Sequence, residues 1–112
     1  MLSKKYRFHS RGGVKYTYRH GKTIRTPNIS LVYNDNPRGF TRAAVVVSKK
    51  VEKTAVKRNR IRRRIYEAIR SELPKYPKAR DYIFVIYSKD LENMGFEELK
   101  ELIDSLFKRS MV

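Results

Sequence analysis

Residues 57–70, KRNRIRRRIYEAIR, carry seven cationic side chains against one acid, Glu67. Phosphate binding is the chemistry these residue types suit. The guanidinium fork matches a phosphate bidentately and is more weakly hydrated than an ammonium. Asn59, between Arg58 and Arg60, can donate and accept, so it can orient an arginine or reach a base edge. On a helical wheel Ile61, Ile65, Ala68 and Ile69 form one apolar stripe. Asn59, Arg63, Tyr66 and Arg70 lie roughly opposite, with Arg58 and Arg62 on one flank and Arg60 and Arg64 on the other. Arg58 and Arg60 fall in the early turns, where the positive end of a helix also attracts anions. An ion-paired helix would place acids four residues from its arginines, and only Glu67, four after Arg63, does so. A solvated charged face would need acids that this segment lacks. The uncancelled repulsion therefore points to a polyanion outside the chain.

Catalytic chemistry finds little support. His9 and His20 have no neighbouring carboxylate in sequence and read as surface or capping residues. A two-metal nuclease needs a carboxylate cluster, yet six of the eleven acids (Asp90, Glu92, Glu97, Glu98, Glu101, Asp104) fall along a terminal amphipathic segment and its approach. No serine occupies a nucleophile motif, and no glycine-rich phosphate loop is present. The absence of cysteine excludes disulfides and thiolate zinc sites. Tyr16, Tyr18 and Tyr33 lie amid basic residues, where aromatic faces suit the stacking of unpaired bases. Ordinary packing is the competing role for each.

These groups must be positioned by one domain, because 112 residues are too few for two ordinary ones. The net charge of +16, from 27 Lys and Arg against 11 Asp and Glu, speaks of partners rather than of fold. Nucleic acid comes first and an anionic membrane second. No apolar run is long enough to span a bilayer, and the basic start lacks the apolar stretch of a signal peptide, so a cytoplasmic location is expected. Residues 1–10 read as a flexible basic arm and 11–20 as a short helix stopped by Gly21. Residues 23–34 read as one strand, with Ile29, Leu31 and Tyr33 on one face and Pro27 at an edge or bulge. Turn chemistry follows at 35–39. The β-branched run at 42–48 reads as a strand buried on both faces, paired with the first strand as an antiparallel hairpin. Thr54 is the expected N-cap of the basic helix, which Pro74 and Pro77 end. DYIFVIYS, residues 81–88, is a strand. Phe96, Leu99, Leu102, Ile103, Leu106 and Phe107 form the apolar stripe of a last helix.

VSKKVEKTAVKRNRIRRRIYEAIR resembles the signature region of the bacterial ribonuclease P protein subunit. Val47-Ser48-Lys49-Lys50 and Arg58-Asn59-Arg60-Ile61 stand in that family's order, and the flanking elements agree over nearly the whole chain. Glu52 departs from the family's usual glycine, and Val14 stands where a phenylalanine is frequent. The resemblance implies an α+β two-layer sandwich of ribosomal-protein-like fold. Its four-stranded mixed sheet packs against helices, with a left-handed β-α-β crossover. The fourth strand would come from residues 49–51 or from a split of the first strand.

The function implied is that of the protein subunit of an RNA-based endoribonuclease, one that assists removal of the 5′ leader from precursor tRNA. The RNA subunit would do the chemistry with Mg²⁺ bound mainly to itself, and the protein would supply no catalytic residue. The partners implied are ribonuclease P RNA and precursor tRNA, with no membrane and no small-molecule substrate. By position, Ser48, Lys49, Lys50, Lys57, Arg58, Asn59, Arg60, Arg62, Arg63 and Arg64 would meet the catalytic RNA. Tyr16, Tyr18, Val32 and Tyr33 would line a cleft for the leader. A structural RNA-binding protein of ribosomal type is the alternative that composition alone leaves open, and a stand-alone protein nuclease fails for want of a site.

Overall fold

Gly21 fixes the first junction of the chain. In the computed structural model, which describes residues 11–111 and side chains from residue 13, α1 (Arg11–His20) ends where the Gly21 N–H donates to the Thr17 carbonyl at 2.8 Å. The basic arm expected at 1–10 lies outside the described residues. The chain then forms β1 (Lys22–Arg25), β2 (Ile29–Asp35), β3 (Arg42–Val47), α2 (Ala55–Glu72), β4 (Arg80–Ile86) and α3 (Phe96–Ser110). Short 3₁₀ turns at Leu73–Lys75 and Lys89–Glu92 precede β4 and α3.

The single strand expected at 23–34 is two. Thr26 and Ile29 close a tight turn around Pro27. The Thr26 N–H donates to the Ile29 carbonyl at 3.1 Å, and the Ile29 N–H donates to the Thr26 hydroxyl at 3.2 Å. Pro27 has no N–H to give a ladder, so it sits in the reversal, and β1 folds back antiparallel on β2.

The expected hairpin between the first and second strands does not form either. The sheet order is β1-β2-β4-β3, with β4 antiparallel to β2 and parallel to β3. DYIFVIY is apolar on both of its faces, and β4 buries one against α2 and α3 and the other on the α1 side. Two further ties hold the inserted strand. Asp81 of β4 takes a bidentate hydrogen bond from Arg42 of β3 (2.9 and 2.7 Å) and another from Asn36 (2.9 Å). Arg80 donates to Asp35 at the end of β2 (2.9 Å) and to the Ser110 carbonyl of α3 (2.7 Å).

Strand alternation divides the apolar residues between two faces. Ile29, Leu31 and Tyr33, Ala43, Val45 and Val47, and Tyr82, Phe84 and Ile86 meet α2 and α3 in the main core. Phe107 of α3 packs edge-on against Tyr82 and Phe84. On the other face Val32, Ala44 and Ile83 meet Val14 of α1.

Two helix residues depart from their wheel positions. Tyr66, expected opposite the core stripe, is buried, and its hydroxyl accepts the Val45 N–H on β3 at 3.3 Å. A ring this long reaches round the helix flank to the sheet edge and gains a polar partner there. Phe96, expected on the α3 stripe, is exposed at the helix start beneath the Lys100 ammonium. Thr54 occupies the N-cap position of α2, but its hydroxyl makes no capping bond.

Replacing Gly21 by alanine should destabilise the protein. The added Cβ would lie 2.6 Å from the carbonyl oxygens of both Thr17 and Tyr33. The expected loss is about 1–3 kcal/mol, the scale of a forced steric overlap, read as a lower urea midpoint with unchanged slope.

A polar cluster joins the end of α2 to α3. The Tyr76 hydroxyl donates to Asp104, and Lys75 lies 3.0 Å from Glu72. The bond from Tyr76 holds the Asp104 carboxyl below its usual value, and bonds from Ser71 and then Lys75 do the same for Glu72. Burial, then the bond to Asp104, pushes the Tyr76 phenol up to about 12. The carboxylates therefore stabilise the fold above their unfolded values near 4 and lose that contribution as pH falls through their lowered values. The phenol's contribution is complete below about pH 10 and vanishes as pH rises through about 12. Tyr76→Phe should flatten both limbs of the stability–pH curve, measured by urea unfolding across pH 2–5 and pH 9–12.

Candidate nucleic-acid interface

The arginine segment is held in place from below. Ile61, Ile65, Ala68 and Ile69 are fully buried against the sheet and α3, so the remaining faces of α2 are committed outward. Lys57, Asn59, Arg60 and Arg63 are exposed, while Arg58, Arg62 and Arg64 are half-buried. Ahead of α2, the Ser48 carbonyl accepts from the N–H groups of Val51 and Glu52. That turn tucks Val51 against the core and leaves Ser48, Lys49 and Lys50 exposed beside the helix start.

Four arginines are tethered, each by one terminal nitrogen. Arg58 Nη1 donates to the carbonyls of Glu52 (2.9 Å) and Lys53 (2.8 Å). Arg60 Nη1 donates to Glu92 Oε2 at 3.1 Å. Arg62 Nη1 donates to Asn59 Oδ1, and Arg64 Nη2 to the Met94 carbonyl. Among the described residues Arg63 has no such partner, and of these five only Arg60 meets a carboxylate. Glu67 pairs with Arg70 at 3.1 Å. The orienting role expected for Asn59 is realised on Arg62. The tethers from Glu92 and Met94 come from 30 or more residues away, and no local spacing announces them.

The aromatic residues divide. Tyr16 and Tyr18 are exposed on α1, and Val32 is buried on the sheet face that α1 crosses. Tyr33 faces the other way, into the main core, with the Arg80 guanidinium 5.0 Å from its ring centroid. Adjacent strand residues point to opposite faces, so Val32 and Tyr33 cannot line one cleft wall. The sequence reading did not single out Tyr87, which follows Ile83 and Val85 on the α1 side and is 49% exposed. Burial, and then the neighbouring Tyr87 phenol, push the Tyr18 phenol up. Between α1 and these residues the sheet offers half-buried Val46 and Val85 and buried Ser30, whose hydroxyl has no hydrogen-bond partner among the described residues. Val47 and Ile86 are paired in register, so Ser48 and Tyr87 leave the sheet side by side, and the basic and aromatic surfaces share a border there.

Among the described residues no three His, Asp or Glu side chains gather where they could hold a metal ion. No helix among them is long and apolar enough to cross a membrane.

A family model described as ribonuclease P matches residues 2–111. The chain belongs to the ribonuclease P protein family. The ribonuclease P protein component of Pelotomaculum thermopropionicum is 33% identical over 94 residues, covering 84% of this chain and 82% of that protein. That of Roseiflexus castenholzii is 31% identical, covering 99% and 90%. The solved ribonuclease P protein of Thermotoga maritima superposes with a TM-score of 0.81 at 24% identity, over 92% of this chain and 96% of that one. The four-stranded mixed sheet with three helices is thus the fold of this family, and the chain is a protein component of ribonuclease P.

Arg63, untethered and exposed, is the arginine at which phosphate binding can be tested apart from any structural role. Arg63→Ala should leave the urea midpoint in place and lower the slope of log affinity for folded RNA against log salt by up to about one. Filter binding from low to moderate salt reads that slope, and an unchanged slope would show that this side chain meets no phosphate.

Proposed function

We propose that this ribonuclease P protein binds the catalytic RNA through the outer face of α2 and residues 48–50. On the same reading it receives the 5′ leader of precursor tRNA on the α1 side of the sheet. Ser48, Lys49, Lys50, Lys57, Arg58, Asn59, Arg60, Arg62, Arg63 and Arg64 meet the RNA subunit. Tyr16 and Tyr18 supply stacking faces beside the floor that contains Val32, and Tyr87 joins them. Tyr33 serves the core beneath. The RNA subunit carries out the hydrolysis with its own Mg²⁺, and the protein adds affinity and orientation. The working location is the cytoplasm.

The observation that carries this reading is the arginine array. Four guanidinium groups are each tethered at one nitrogen, with donors to spare and one carboxylate among their acceptors. Pre-ordered donors lose less freedom on binding than free side chains do. Phosphate oxygens are the acceptors that match such donors in charge and in fork geometry.

Reconstitution with a bacterial ribonuclease P RNA at low Mg²⁺ tests the whole reading. Addition of the protein should restore leader cleavage, and unchanged cleavage would refute it. Tyr18→Ala should weaken precursor tRNA more than mature tRNA, by about 1–3 kcal/mol for one lost base stack. Equal losses for both RNAs would remove the leader from the α1 face.

A further inference from the structure

Glu92 lies on the 3₁₀ turn between β4 and α3, outside every segment assigned to RNA above. Its carboxylate side chain is only 11% exposed, whereas the Arg60 side chain it meets is 54% exposed. The pair is stacked outward, with the acid inside and the guanidinium over it. One hydrogen bond joins them, from Arg60 Nη1 to Glu92 Oε2 at 3.1 Å. Nε and Nη2 of Arg60 make no other hydrogen bond among the described residues. The same turn reaches α2 one helical turn later, where Arg64 donates to the Met94 carbonyl and its buried Nε has no partner. The segment from Glu92 to Met94 thus lies along α2 and holds the arginines of one flank.

The Arg60 end of the pair is open to water, which screens the attraction and keeps its net contribution to folding small, and the urea midpoints of the variants check this. Arginine is rich in rotamers, and ordering it costs binding energy unless it is ordered beforehand. The carboxylate grips one nitrogen and leaves the others free, which fixes the direction in which they point.

We propose that Glu92 is a positioning residue for RNA recognition, holding Arg60 by one nitrogen so that its remaining donors face a phosphate of the RNA subunit. This rests on the reading above that Arg60 meets that RNA. Glu92 touches no RNA itself and acts through Arg60.

The test is a double-mutant cycle on the full chain, with affinity for a bacterial ribonuclease P RNA measured at fixed salt and urea midpoints measured alongside. Glu92→Ala should weaken binding by roughly threefold to tenfold, the scale of ordering one long side chain, and should have no effect in an Arg60→Ala background. Glu92→Gln, whose amide oxygen accepts the same bond, should bind within about twofold of the parent protein. A Glu92→Ala loss that persists in the Arg60→Ala background would overturn the proposal, as would a gain in affinity from both Glu92 substitutions, which would make the carboxylate a competitor of the RNA. If Arg60→Ala alone leaves affinity unchanged, the Arg60 contact itself fails, an outcome distinct from failure of the positioning role.

Discussion

The burial of one face of α2 underlies the rest of the structure. Ile61, Ile65 and Ile69 have no solvent exposure, and each contributes about 1.5–3 kcal/mol on leaving water. Neighbouring exposed cations 6 Å apart in water repel by about 0.7 kcal/mol before salt screens them. Three isoleucines therefore outweigh several such repulsions, and the helix stays folded under a charge it does not neutralise. The same burial sets the rotation of α2 about its axis and so decides which arginines point outward. Packing and charge are divided by face: the buried stripe holds α2 to the core, and the outer face carries the cations.

The parts of the fold legible in the sequence were those encoded by local periodicity. The stripes of α2 and α3 appear at helical spacing, and the apolar run at residues 81–88 announces a strand. The order of strands was not legible. Residues 23–34 and 42–48 look like a hairpin because a turn joins them, yet β4, which begins only at Arg80, takes the place between. That order is tied by long-range contacts such as Arg42 with Asp81, which find each other across 39 positions. Local pattern carries no record of such a pairing.

The candidate interface was legible to the same extent. The cationic face of α2 follows from residue type and spacing, whereas the exposure of Tyr16 and Tyr18 is visible only in the fold. Tyr33 was misplaced because strand parity, which assigns it to the face of Ile29 and Leu31, was not carried through to the cleft. Tyr87 obeys the parity of Ile83 and Val85 and was within reach of the same argument. Tyr66 and Glu92 were beyond it: one reaches a strand edge 21 residues away and the other an arginine 32 away.

The phenol of Tyr66 on the Val45 amide also has a bearing on self-association. A border strand normally leaves outward N–H groups ready to recruit a strand from another molecule. Here one such donor on β3 is already occupied from within. The opposite border, β1, is only four residues long and carries Lys22 and Arg25, and charge on a short strand discourages a second copy from adding to it. One donor on the β3 rim is thus taken, and the β1 rim is short and charged, so each offers less to a strand from a second molecule.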